Sequence, residues 1–140
     1  MSRKALVLDA NILIRAVLGQ KVRTLVMTYA DHVHFFAPAV CFEDARKYLP
    51  TLLLKRNIPV ESALSVLDTL SRIVQIVESE WLDVFEAQAR RRLKMRDEQD
   101  WPILAAALAL DCSIWTEDAD FFGVGIATWT TANVHHFFES

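Results

Sequence analysis

Asp9 closes a short apolar run, Glu43 lies near the start of a helical pattern, Asp100 opens another, and Asp118 follows a further apolar run within "TEDAD". Singly, each acid has an ordinary structural use, as a strand terminator, a complement to a helix dipole, an N-cap or a turn former. Together they imply chemistry. Two carboxylates about 5 Å apart repel by about 3 kcal/mol even at an effective dielectric of about 20, so a cluster of four calls for a neutralising partner. An all-oxygen donor set suits a hard divalent cation such as Mg²⁺ or Mn²⁺, and the scarcity of Cys and His near these acids argues against zinc.

The elements that must position these acids can be read from periodicity. "ALVL" (5–8) is a uniformly apolar run, the mark of a strand buried on both faces of a parallel sheet, and it stops at Asp9. Asn11 is expected to cap a helix through "ILIRAVL" that Gly19 ends in a left-handed turn. "HVHFFA" (32–37) reads as a second strand before a helix from about Ala39, with Glu43 and Asp44 near its start and Pro50 as its expected end or kink. Apolar residues recur at helical spacing over 60–73, "IVQIV" (73–77) reads as a third strand, and 80–95 as one further helix. Pro102 fits only the first turn of a helix, which places the start of "ILAAALAL" near Gln99 or Asp100. "CSIWT" (112–116) and "IATWT" (126–130) complete five strands, and "NVHHFF" a short final helix. Alternating strands and helices imply an α/β fold of three layers (α/β/α) around a mainly parallel sheet, with the site beyond the carboxyl ends of the strands. All four acids fall at that end.

The 140 residues are expected to form a single domain (1–140), and 53% hydrophobic residues with only 3 Gly and 4 Pro speak against disorder. No apolar run approaches the roughly 20 residues of a membrane span, and the N-terminus lacks a secretory pattern, so the expected location is cytoplasmic with no membrane partner. Cys41 and Cys112 are expected as reduced, buried thiols. A net charge of −3 means that a phosphate-bearing ligand needs metal ions or a local basic patch. The basic run Arg90, Arg91, Arg92, Lys94 and Arg96 is the candidate RNA-binding patch, against a solvated helix face in which Glu86 pairs Arg90. His32, His34, His135 and His136 have no ligand spacing with any acid. Trp101, Trp115, Trp129, Phe121 and Phe122 flank expected strands and read as packing residues.

In that order, "VLDANILI", "RDEQDWPILAAALAL" and "IWTEDADFFG" resemble the three hallmark segments of the PIN-domain ribonuclease family, which includes the VapC-like toxin nucleases. The resemblance implies phosphodiester hydrolysis of single-stranded RNA by an endoribonuclease using Mg²⁺ or Mn²⁺. It makes Asp9, Asp100 and Asp118 metal ligands, with Asn11 and Thr116 as supporting polar residues and Asp120 as an accessory ligand. The family's remaining acid falls on Glu43 by its distance from Pro38, with adjacent Asp44 as the alternative, and Asp97 takes a supporting place. As partners the resemblance admits an RNA substrate, a small antitoxin protein and a second copy of the chain.

Three other readings compete. A phosphatase of the haloacid-dehalogenase type needs an Asp two residues after the first, where this chain has Asn11. A phospho-acceptor receiver domain wants an Asp after the third strand and a Lys after the fifth, where Ser79, Glu80 and Thr131 stand. A non-catalytic interaction module would keep the core and disperse the acids.

Overall fold

The computed structural model describes residues 4–140 of the chain. Its centre is a sheet of five strands, β1 (Lys4–Leu8), β2 (Val33–Pro38), β3 (Val74–Val77), β4 (Ser113–Trp115) and β5 (Thr128–Trp129). All neighbours run parallel in the order β3-β2-β1-β4-β5. Leu6, Val7 and Leu8 are wholly buried, as a central parallel strand requires. The chain builds outward from β1 to β3, then returns to start again at β4 beside β1, where Leu8 is in register with Trp115. That reversal leaves a crevice beyond the carboxyl ends of β1 and β4, the place where open parallel sheets bind ligands.

Right-handed crossovers put the helices before and after the reversal on opposite faces of the sheet. The first group comprises α1 (Ala10–Leu18), α2 (Gln20–Tyr29), α3 (Ala39–Lys55) and α4 (Val60–Leu70), which pack on one another. The second comprises α5 (Ser79–Leu82), α6 (Glu86–Arg92) and α7 (Trp101–Leu110); α7 lies against β1, β2 and β4 and carries the other two. A short α8 (Val134–Glu139) follows β5. Among the described residues, no helix is long and apolar enough to cross a membrane.

Four expectations change. Asp9, not Asn11, caps α1: its carboxylate accepts the Ile12 N–H at 2.9 Å. Gly19 is extended (φ −125°) rather than left-handed, because it joins α1 directly to α2, a helix that was not expected. Pro50 lies inside a continuous α3, its ring exposed while Leu49 and Leu53 anchor the helix on either side. The helix expected over 80–95 is broken by a 3₁₀ turn at Asp83–Phe85, after which α6 presents Ala89 to the core, with Leu93 buried just past its end.

Candidate active site

Each acid is delivered by the end of an element. Asp9 follows β1 and, by capping α1, turns its carboxylate into the crevice. Thr116 follows β4, and its fully buried hydroxyl donates to Asp9 Oδ2 (2.5 Å) while accepting the Asp118 N–H (2.9 Å). One hydroxyl thus ties the ends of β1 and β4 together. Asp118 in turn accepts the Asp120 N–H at 2.9 Å, which begins the 3₁₀ turn Ala119–Phe121. Across the crevice, Asp97 accepts the Gln99 N–H at 3.0 Å and starts the turn Glu98–Asp100 that leads into α7. Pro102 sits in the first turn of that helix, where its missing N–H costs nothing.

Asp9, Asn11, Asp44, Asp100 and Asp118 line one cavity of 220 Å³, and Cys41 and Tyr48 share its wall. Carboxylate oxygens of Asp100, Asp118 and Asp120 lie within 4.8 Å of one another. The charges are crowded enough to perturb titration. Burial raises the Asp100 carboxyl to about 7, with further upward pushes from the charges of Asp97, Asp118 and Asp9 and from a hydrogen bond shared with Asp118. Burial also raises Asp9, against the downward pull of its bonds from Thr116 and Ile12. The Cys41 thiol is held protonated by burial and then by the charges of Asp9 and Asp44, so it supplies no thiolate nucleophile. Both cysteines are free, Cys41 buried and Cys112 half-buried.

Glu43 lies outside this cluster. It is exposed and does not line the cavity, whereas Asp44 does. The reason is helical phase, which turns adjacent side chains of α3 about 100° apart. Cys41, Phe42, Ala45, Leu49 and Leu53 form its buried stripe; Asp44 and Tyr48, one turn apart, flank that stripe on the cavity side. The apolar spacing of α3 therefore contained the signal that distance from Pro38 alone lacked.

The basic run is largely occupied by the protein itself. Arg90 donates to Glu86 at 2.8 Å and lies over the Trp101 ring, as the solvated-face reading anticipated for the pair. Arg92 donates to the Val124 carbonyl (3.0 Å) and Arg96 to that of Asp120 (3.2 Å), so both hold the loop after β4 that brings Asp120 to the cluster. Gly125 suits this loop because its φ is +89°, a conformation that residues with a Cβ rarely adopt. Arg91 and Lys94 are exposed. Of the aromatics, Trp115 and Phe121 are core, Trp101 and Trp129 pack at its edge, and Phe122 is exposed.

A family model described as "PIN domain" matches residues 7–139. The chain belongs to the PIN-domain family. A search of curated proteins finds no match. Among solved structures, this PIN domain is similar to one of VapBC2 from Rickettsia felis bound to a promoter DNA fragment, with a TM-score of 0.68 and 14% identity over 90% of this chain and 98% of that one. It is also similar to FitAcB from Neisseria gonorrhoeae (TM-score 0.64, 19% identity, 91% and 98% covered). A third likeness is to VapBC-1 from nontypeable Haemophilus influenzae (TM-score 0.64, 15% identity, 92% and 99% covered). At these identities the likeness is one of fold, and the α/β architecture with its parallel sheet is the one expected from the sequence.

Proposed function

We propose that this PIN domain is a divalent-metal-dependent endoribonuclease that hydrolyses single-stranded RNA, and that it is the toxin of a toxin-antitoxin pair. The observation that carries the reading is the convergence of the four carboxylates of Asp9, Asp44, Asp100 and Asp118 on one cavity. The donor set fits Mg²⁺ or Mn²⁺: oxygens of Asp100, Asp118 and Asp120 are close enough to share an ion, and the elevated Asp100 pKa marks the charge such an ion would relieve. When bound, the ion acidifies a water and offsets charge developing on the phosphate.

The chain's own residues do the rest. The Thr116 hydroxyl and the Ile12 N–H each engage one oxygen of the Asp9 carboxylate, which fixes it and leaves one further lone pair on each oxygen for ligation. Asp97 positions Asp100 by starting its turn, and Asn11 stands at the cavity wall within reach of substrate. Cys41 is held protonated by burial and takes no part as a nucleophile. The second-helix role passes from Glu43 to Asp44. An antitoxin partner is suggested by the likeness in fold to VapBC2 from Rickettsia felis and to a toxin-antitoxin complex from Klebsiella pneumoniae. A non-catalytic module is disfavoured by the energetic cost of gathering these acids without a ligand.

Asp44 and Glu43 offer a paired test. Asp44→Asn should lower Mg²⁺-dependent cleavage of a single-stranded RNA by at least about tenfold, whereas Glu43→Gln should stay within about twofold of wild type. The opposite ranking in a gel assay of initial rates would return the role to Glu43. Equal, undiminished rates in both would remove the second-helix acid from the site.

A further inference from the structure

A second concavity, of 550 Å³, has a lining that includes Arg15, Lys21, Arg56, Glu117, Leu18 and Val22. Arg15 is one helical turn past Asn11 on α1, so the groove begins about 6 Å along the helix from the cavity wall. Glu117 stands between Thr116 and Asp118 and marks the same border on the β4 side. Its Oε1 is engaged by the Thr131 N–H at 2.7 Å, while Arg15 Nη1 stands off at 3.9 Å with the Arg15 side chain 54% exposed. Lys21 and Arg56 are exposed. Three cations therefore face one carboxylate in a chain whose net charge is −3. The run Arg90 to Arg96, in contrast, spends three of its arginines on Glu86 and on two backbone carbonyls.

We propose that the groove lined by Arg15, Lys21 and Arg56 binds the phosphate backbone of the single-stranded RNA substrate and leads it away from the acidic cavity along α1. This rests on the nuclease reading. Phosphates flanking the scissile one meet the outward field of the carboxylates, and Arg15 on α1, Lys21 on α2 and Arg56 at the end of α3 offer neutralising charge. The guanidiniums and the ammonium take successive phosphate oxygens. Half-buried Leu18 adds apolar surface to the lining. An acidic segment of a protein partner would satisfy the cations equally, but the groove's Arg15 and Glu117 directly neighbour the cavity residues Ile14 and Asp118 in the chain, which favours the nucleic acid whose phosphodiester reacts there.

The test is a fluorescence-anisotropy titration of a labelled oligouridine of about 12 nucleotides, in chelator, across salt from about 50 to 200 mM. Lys21→Glu/Arg56→Glu, both on exposed side chains, should flatten the slope of log K against log salt by about 1.4, at about 0.7 per lost phosphate contact. Its defect in Mg²⁺-dependent cleavage of the same RNA should appear as a raised KM. Arg91→Glu/Lys94→Glu carries the same charge change and should leave more of the slope intact. If Lys21→Glu/Arg56→Glu binds and cleaves with the wild-type slope and KM, the groove is overturned and the nuclease reading stands. If it loses RNA binding while no protein cleaves in any metal, the groove stands as a nucleic-acid site and the nuclease reading falls. Loss of binding to a decaglutamate peptide with RNA binding unchanged would assign the groove to a protein partner and overturn the proposal.

Discussion

Thr116→Val should unfold about 6–12 °C below wild type and lose about ten- to a hundredfold in cleavage rate, although valine is nearly the same size as threonine. The cost is not packing. The Thr116 hydroxyl is fully buried, donates to Asp9 Oδ2 and accepts the Asp118 N–H, so its removal leaves a buried carboxylate oxygen and a backbone donor unpartnered. Loss of a bond to a charged group together with an unsatisfied donor corresponds to about 2–4 kcal/mol. The Thr116 bond lowers the Asp9 pKa, so its loss raises that pKa further. The stability deficit of the variant should then grow as rising pH ionises Asp9 and shrink in acid. Thr116→Ser keeps the hydroxyl and should recover most of the stability and rate. Thermal melts of both variants decide it: a valine protein that melts with wild type would mean that the hydroxyl does not join the two strand ends.

Asp100→Asn should do the reverse in the absence of metal and melt above wild type. Asp100 is raised from 3.8 to about 7 by burial and then by its acidic neighbours, which is a cost to the folded state whenever the group is ionised. By linkage that cost is absent below the unfolded pKa near 3.8, grows as pH rises, and is fully present above about 7. It corresponds to about 4 kcal/mol at most, less after solvent screening of this partly exposed site. The advantage of Asp100→Asn in chelator should therefore be greatest near pH 8 and vanish toward pH 4. The amide also keeps the hydrogen bond to Asp118 that the protonated acid makes. Mg²⁺ at about 100 times its dissociation constant should stabilise wild type by about 2.7 kcal/mol and the variant by much less. Asp9→Asn is a less clean probe of the same repulsion, because its amide would face the Thr116 hydroxyl proton that now serves the carboxylate. A lower melting point for Asp100→Asn in chelator at pH 8 would contradict a shared, charge-crowded site.

What could be read from the sequence was whatever depends on local pattern. The uniform apolar run ending at Asp9 identifies a central parallel strand and "CSIWT" a further strand, while their pairing, which brings Asp9 and Thr116 together, is seen only in the structure. Pro102 places the start of α7 and so puts Asp100 at the crevice. Features that depend on tertiary context were less accessible. In α2 only Val22 and Val26 are buried, a stripe too short to stand out among Lys21, Arg23, Thr24 and Thr28, and the helix is held by packing on α1. Pro50 breaks isolated helices, but α3 is clamped to the core on both sides of it. The arginine run could be read as an RNA track or as a solvated face because charge alone does not reveal an intramolecular acceptor; Arg92 and Arg96 find theirs 32 and 24 residues away.

The account rests on a metal site that acts on RNA, and one measurement reaches it most directly. Wild type and Asp118→Asn are incubated with a mixed pool of single-stranded RNA, in Mg²⁺, in Mn²⁺ and in excess chelator, after circular dichroism has shown both to be folded. Asp118 lines the acidic cavity and contributes to the carboxylate cluster with Asp100 and Asp120. Wild type should shorten the RNA in either metal and stop in chelator, and Asp118→Asn should cleave at least about a hundredfold more slowly in both. Cleavage that continues in chelator, or that survives undiminished in folded Asp118→Asn, would contradict the account.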